Sequence, residues 1–352
     1  MDGIEIWRWA GFSVFVVVML VLDLLVFHRK SHEPTLRESF FWTIFWCSLA
    51  LGFNALIWYW YGNRAALEFF NGYVVEWSLS MDNVFVFAVI FSFFRVPLKY
   101  QYRVLFWGIL GAVVMRLTFV LAGAALIKQF DWVMWIFGAF LVYTGIKLAL
   151  HDESQVHPEN NILMRIAKRL FPVAQGQHGD HFFAIENGRR CITPLFLVLL
   201  VIESTDVIFA VDSVPAILGL VNKKAEYFEF VVFTSNVFAI LGLRALYFLL
   251  AGVMEMFRYL HYGLSAVLVF VGGKMIADYV AHHFFHFPED HHLIPYYISP
   301  IIIFSLLGVS IVASLIAQAR ESKHGLADAI HEPPDPAGPI RVPEEPVEDA
   351  KL

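Results

Sequence analysis

The strongest constraint in this sequence is a set of apolar blocks, each about 20 residues long, recurring along most of the chain. A helix of that length just crosses the hydrocarbon core of a bilayer, where every backbone polar group must be satisfied within the segment. Such blocks dictate an all-α polytopic membrane protein. Nine transmembrane helices are predicted, at 9–28, 41–61, 72–94, 104–127, 132–150, 193–220, 228–252, 260–283 and 296–318. The first block, Trp9 to Phe27, is long for a signal-peptide core and has no small-residue cleavage site after it, so it reads as a retained span.

Orientation follows from Lys and Arg near the span ends. One side collects Arg29, Lys30, Arg37, Arg95, Lys99, Arg103, Arg165, Lys168, Arg169, Arg189, Arg190, Arg258, Arg320 and Lys323. The other has Arg8, Arg64, Lys128, Lys223 and Lys224. The first side is expected to be cytoplasmic, with the N-terminus outside and the C-terminus inside. The long loop 151–191 is then cytoplasmic. Its "NILMRIAKRLF" has Ile162, Ile166 and Leu170 at helical spacing with a basic face, which predicts a short interfacial helix. "AIENGRR" after it predicts a tight Asn-Gly turn. From Glu321 onward the Pro- and acid-rich composition predicts a disordered tail. The net charge of −6 gives no bulk basic character toward nucleic acid, and two cysteines, Cys47 and Cys191, are too few for a disulfide framework or a thiolate cluster.

Three segments recur in the same order. "EWSLSMDNVFVF" (76–87) aligns with "DVIFAVDSVPAI" (206–217) at an offset of 130, matching Glu76 with Asp206 and Asp82 with Asp212. "MRLTFVLAG" resembles "LRALYFLLAG" and matches Arg116 with Arg244, while "AFLVYTGIKL" resembles "AVLVFVGGKM" at an offset of 127 and matches Lys147 with Lys274. Each unit holds three spans, an odd number, so the second copy enters the membrane from the opposite face. The expected plan is two inverted three-helix repeats, as in many secondary transporters, whose sites lie near the midplane between the copies. The chain divides accordingly: a two-helix segment at 1–71, repeat 1 at 72–150, the cytoplasmic loop at 151–191, repeat 2 at 192–283, an outer His-rich loop with the last span at 284–320, and the tail at 321–352.

Five carboxylates fall at middle depths of the third and sixth spans: Glu76, Asp82, Glu203, Asp206 and Asp212. Each costs about 2.5–3.5 kcal/mol at the bilayer centre on insertion scales, so their retention calls for a reason. One reason is pairing with the intramembrane cations Arg116, Arg244, Lys147 and Lys274. The sharper one is a site for a hard divalent cation such as Mg, Ca or Mn, which takes six or more oxygen ligands. Metal leaving as protons bind is the linkage a proton-coupled carrier needs. In a perfect helix, positions six apart point about 120° from each other. Glu76 and Asp82 therefore do not face one ion from a continuous helix, nor do Asp206 and Asp212, whereas Glu203 and Asp206 can. With Pro215 and several hydroxyl residues nearby, both spans are expected to be unwound near Asp82 and Asp212. Asn83, Ser213 and Asn236 are further oxygen ligands or supports. In "HHFFHFPEDHHL", His282, His283, His286, His291 and His292 are candidates for capturing a metal on the outer side, set against an ordinary interfacial loop.

"EWSLSMDNVFVF", "ESTDVIFAVDSVPAI", "FTSNVFAILGLRALYFLLAG" and "DWVMWIFGAFLVYTGIKLAL" resemble the signature stretches of the TerC family, and within it the Alx-type members, over residues 8–315. The resemblance implies a bacterial inner-membrane protein associated with manganese export and alkaline pH, in a family first linked to tellurium resistance. By resemblance, the acids important for that activity are the same five. Its implied partners are the lipid bilayer, Mn2+ and protons, with no permanent cofactor. The His-rich stretch and the Pro/Glu-rich tail depart from the family's pattern.

Two other readings compete. An oxyanion carrier would use Arg116 and Arg244 as a basic half-site, against the weight of five acids. A non-transporting scaffold would act through the basic cytoplasmic loop. No His-Glu-x-x-His, Gly-x-Ser-x-Gly or Walker loop is present, so an enzyme is not expected. Mn(II) comes from the resemblance, because oxygen ligands alone suit Mn, Mg and Ca equally.

Overall fold

Helix-capping chemistry and lipid-length apolarity together set where the elements begin and end. The computed structural model describes residues 3–27, 35–150, 161–174, 179, 181–186, 188–251, 259–285, 293–295 and 297–331. In chain order these form α1 (Gly3–Phe27), α2 (Leu36–Tyr61), α3 (Asn63–Phe93), α4 (Leu98–Gln129), α5 (Val133–Leu150), α6 (Ile162–Leu170), β1 (Phe183–Glu186), β2 (Arg189–Ile192), α7 (Pro194–Leu218), α8 (Phe228–Leu241), α9 (Leu243–Ala251), α10 (Leu260–Phe284) and α11 (Ile298–His331). Thr35 caps α2 by accepting the Glu38 N–H at 3.3 Å, and Gly62, at φ 86°, turns the chain directly from α2 into α3. Thr193 caps α7 in the same way, ahead of Pro194 in the first turn.

Among the described residues eight helices are long and apolar enough to span a membrane, and α8 with α9 makes a ninth that is bent by 41°. The all-α polytopic fold is as expected. Two expectations about continuity are corrected. Helices α3 and α7 run unbroken through Asp82 and Asp212. Three of the hydroxyls expected to rescue freed backbone instead bond carbonyls of their own helix: Ser78 to Val74 at 2.6 Å, and Ser204 and Thr205 to Val201 at 2.8 Å each. Pro215 falls in the last turn of α7, too near the end for its missing N–H to interrupt the helix. The break lies at Gly242, between α8 and α9, beyond Asn236 and two residues before Arg244. The second correction concerns the end of the chain. Helix α11 continues past Glu321 to His331, so helix occupies the start of the stretch read as a disordered tail; residues 332–352 lie outside the described residues.

Helix α3 is the most enclosed of the eight unbroken spans, with 67% of its apolar stretch buried against 17% for α1, and it packs on α7 and α8. Helix α4 packs on α7, and α5 lies along α10. The α5–α10 contact is made by backbone against backbone. A Cβ on Gly138 would lie 2.8 Å from the Gly272 carbonyl oxygen, and one on Gly145 would lie 2.9 Å from that of Ser265. Ser265 Oγ donates to the Gly145 carbonyl at 2.5 Å. Small residues are what allow two membrane helices to approach so closely.

Within 151–191 the structure has a short helix and a tight hairpin at the two segments singled out in the sequence. Asn161 caps α6 by accepting the Met164 N–H at 3.0 Å, and its side-chain amide also donates to Ser204 Oγ at 2.5 Å, which anchors α6 on α7. Ile162, Ile166 and Leu170 are exposed, as an interfacial helix requires. Strands β1 and β2 pair antiparallel with Glu186 opposite Arg189, and Gly188 adopts φ 76° in the two-residue connection.

Candidate functional site

Helices α3, α4, α7 and α8 each place a polar side chain on one buried centre, and Arg116 of α4 stands in the middle of it. Its guanidinium, 1% exposed, donates through Nη1 to the Glu76 carboxylate, to Ser213 Oγ at 3.0 Å and to Asn236 Oδ1 at 3.1 Å. Nη2 reaches Asp206 Oδ1 at 3.5 Å, and the Asn236 amide donates to Glu76 Oε2 at 3.5 Å. Glu76 and Asn236 are fully buried and Asp206 and Ser213 nearly so. Asp206 Oδ2 is buried without a hydrogen-bond partner. A buried carboxylate oxygen in that condition is an unmet demand for a cation or a donor.

Glu203 sits three residues before Asp206 on the same face of α7, within its electrostatic reach and pressed against Gly111 of α4, where a Cβ would collide with its carboxylate. Three carboxylates thus stand on or beside a centre that holds one guanidinium. The remaining two predicted acids lie further along the same helices. Asp82 and Asp212 are half-buried, each six residues, or about 9 Å of helix rise, beyond Glu76 and Asp206. Among the described residues no three His, Cys, Asp or Glu side chains gather as a metal-holding group. The physical reason is the continuity of α3 and α7: without local unwinding, spacing of six keeps these acids apart.

Of the predicted charge partners, Arg116 contacts the central acids directly. Arg244 is buried with its guanidinium 4.0 Å from the centroid of the Tyr102 ring. Lys147 is exposed near the end of α5, where a long side chain reaches the interface. Lys274 is buried, donates to Ser299 Oγ at 3.2 Å and faces Asp278 and Glu68. Asn83 is buried on α3. On α10, His282 is half-buried and His283 stacks on Tyr279 at 5.6 Å; His286, His291 and His292 lie outside the described residues.

A second polar cluster escaped the sequence reading. Glu68 of α3, 1% exposed, accepts from Arg64 Nε at 3.0 Å, lies beside Tyr227 and faces Lys274, while Asp278 accepts the Leu293 N–H at 3.1 Å. Hydropathy started the third span at residue 72, which left Glu68 in a loop, whereas α3 starts at Asn63. The Lys274–Asp278 spacing of four on an apolar helix was the available signal. Lys274→Met removes the buried ammonium of this cluster and is expected to cost about 3–5 kcal/mol. Lys274→Arg should retain much of it. Thermal unfolding in detergent checks the pair, and equal stability of Lys274→Met and wild type would show that the ammonium holds nothing together.

Comparison with known proteins gives a consistent picture. The family described as "Integral membrane protein TerC family" matches residues 61–322. An uncharacterized membrane protein of Myxococcus xanthus is 48% identical over 322 residues, covering 91% of this chain and 95% of its own. An Escherichia coli K12 protein named as a membrane-bound redox modulator, Alx, is 42% identical over 325 residues, covering 90% and 96%. An uncharacterized membrane protein of Rickettsia bellii is 36% identical over 308 residues, covering 88% and 97%. No solved structure matches the chain.

Proposed function

The chain belongs to the TerC family of integral membrane proteins, and from that premise we propose that it carries divalent metal cations, Mn(II) first among them, across a bacterial inner membrane in exchange for protons. The observation that carries this reading is the charge imbalance around Arg116. Fully ionised, Glu76, Glu203 and Asp206 set three negative charges against one guanidinium. The deficit of two equals the charge of one divalent cation, or of two protons. In a medium of low dielectric constant such a deficit has to be neutralised. Alternate occupation by a metal ion and by protons therefore keeps the centre neutral in both directions of transport.

The residues assign themselves roles in that cycle. Arg116 holds Glu76 and Asp206 at one place while the site carries no metal. Ser213 and Asn236 supply neutral oxygens, and Asp206 Oδ2, buried without a partner, is positioned to take an ion or a proton. Asp82 and Asp212 are staging groups further along α3 and α7.

Inverted repeats are supported by the α5–α10 contact. At the offset of 127, Gly138 corresponds to Ser265 and Gly145 to Gly272. The close approaches are Gly138 to Gly272 and Gly145 to Ser265. Residue i thus meets the counterpart of j, and j meets the counterpart of i, which is the signature of a two-fold axis. The pairing of α3 with α8 and of α4 with α7 follows the same exchange. The Lys and Arg distribution favours an external N-terminus and a cytoplasmic C-terminus. Against the oxyanion alternative, both terminal nitrogens of Arg116 are already occupied by oxygen acceptors of this chain.

The test is cellular manganese content under manganese load, for wild type and for Asp82→Asn, Asp212→Asn and Glu203→Gln at matched membrane abundance. Wild type is expected to lower cell manganese and each variant to fail. Variants that lower it as well as wild type would remove the proposal. Parallel measurements with magnesium read selectivity, and greater damage from deleting 155–190 than from Asp82→Asn would favour a scaffold.

A further inference from the structure

A groove of about 630 Å³ runs between α1, α2 and α8, floored by Phe12, Phe15, Phe53 and Phe238. That volume is within the range of small-molecule sites. Along α2 its lining extends from Ser48 to Trp60, a rise of about 18 Å, close to the depth of one bilayer leaflet. Gly11 and Gly52 line it at positions where a Cβ would meet nothing within 4 Å, so space rather than helix packing occupies both. Helices α1 and α2 turn most of their surface outward, with 17% and 22% of their apolar stretches buried, which opens the groove toward lipid.

One end of the groove has a different chemistry. Arg8 stands there, its guanidinium 4.5 Å from the Tyr61 ring centroid and 5.4 Å from that of Trp60. Among the described residues no carboxylate pairs with it. Trp7, Trp58 and Tyr59 are exposed at the same end, forming the kind of aromatic girdle that sits at head-group depth. A cation held by aromatic faces, without an anion, at the mouth of a leaflet-deep apolar slot is built for a ligand with a negative head and a hydrocarbon tail.

We propose that this groove is a binding site for one anionic phospholipid, with an acyl chain along the phenylalanine floor and the phosphate at Arg8. Charge complementarity at Arg8 and the leaflet-matched length select this occupant over a neutral isoprenoid. The site is independent of what the central carboxylates do. Its inner wall nevertheless belongs to α8, where Phe238 follows two residues after Asn236, so the lipid packs on the back of the helix that completes the Arg116 centre.

The experiment is native mass spectrometry of the full chain in mild detergent, with dioleoylphosphatidylglycerol or dioleoylphosphatidylcholine added. Wild type is expected to hold one phosphatidylglycerol and to prefer it by about fivefold, the discrimination that one interfacial arginine supplies. Gly52→Leu fills the groove and should lose the bound lipid, while Arg8→Gln should keep lipid but lose the preference for negative charge. Circular dichroism establishes that the variants are folded; if Gly52→Leu is not, Gly11→Leu probes the same slot and Arg8→Gln still tests the charge. Wild type that holds neither lipid, variants that hold phosphatidylglycerol as wild type does, or copurification of a neutral isoprenoid that phosphatidylglycerol does not displace would each overturn the assignment.

Discussion

Arg116→Met should destabilise the folded chain by about 3–5 kcal/mol, the cost of leaving buried acids without their counter-ion. Arg116 is 1% exposed and Glu76 is completely buried, so water cannot replace the guanidinium without opening the bundle. The expected result in detergent is a strongly lowered unfolding temperature and poor recovery of monodisperse protein. A triple variant, Arg116→Met with Glu76→Gln and Asp206→Asn, should recover much of that loss, because it removes the guanidinium together with the two acids that it contacts. The same triple variant is expected to be inert in the manganese-load assay, since Glu203 alone of the three central acids is left to hold a cation. This separation of folding from transport is the useful part. If Arg116→Met is as stable as wild type, the Arg116 centre is not what joins α3, α4, α7 and α8. If the triple variant lowers cell manganese normally, the charge-deficit account of transport is wrong.

The second large effect concerns the α5–α10 seam. A Cβ on Gly272 would lie 2.5 Å from the Gly138 carbonyl oxygen, and one on Gly138 would lie 2.8 Å from that of Gly272. Backbone oxygen cannot rotate away as a side chain can, so the two helices must separate. Overpacking of a tight contact costs about 1–3 kcal/mol, and Gly138→Ala and Gly272→Ala are both expected within that range. Valine at either position should cost more. Gly273→Ala is the control, since a Cβ there meets nothing within 4 Å and the change should be nearly silent. Unfolding temperatures of the purified variants check the series. Equal tolerance of alanine at 272 and 273 would mean that the seam has room the geometry does not show.

Much of the fold was legible in the residues. Each span advertises itself locally, because lipid imposes a length and an apolarity that no other environment demands together. Every member of the Arg116 centre was equally visible, since a charged or amide side chain inside a lipid-length block is conspicuous wherever it packs. What could not be read was partnership. Arg116 gathers Glu76, Asp206, Ser213 and Asn236 from three other helices. That choice depends on the rotation and depth of whole helices. Glu68 was missed because hydropathy averages over a window, which cut the third span short of the helix that extends it. The expected unwinding of α3 and α7 failed because Ser78, Ser204 and Thr205 satisfied themselves on carbonyls one turn back, an outcome open to any hydroxyl in a helix.

By itself the sequence determined that this chain lives in a membrane as a helical bundle, and that its few intramembrane charges are where function has to be sought; both follow from the cost of placing polar groups in hydrocarbon, which acts residue by residue. Only the tertiary structure decided that Glu76, Asp206 and Glu203 surround or adjoin one arginine. A continuous helix takes up about 9 Å and 120° over six residues, so which side chains meet is settled by how neighbouring helices are set against one another.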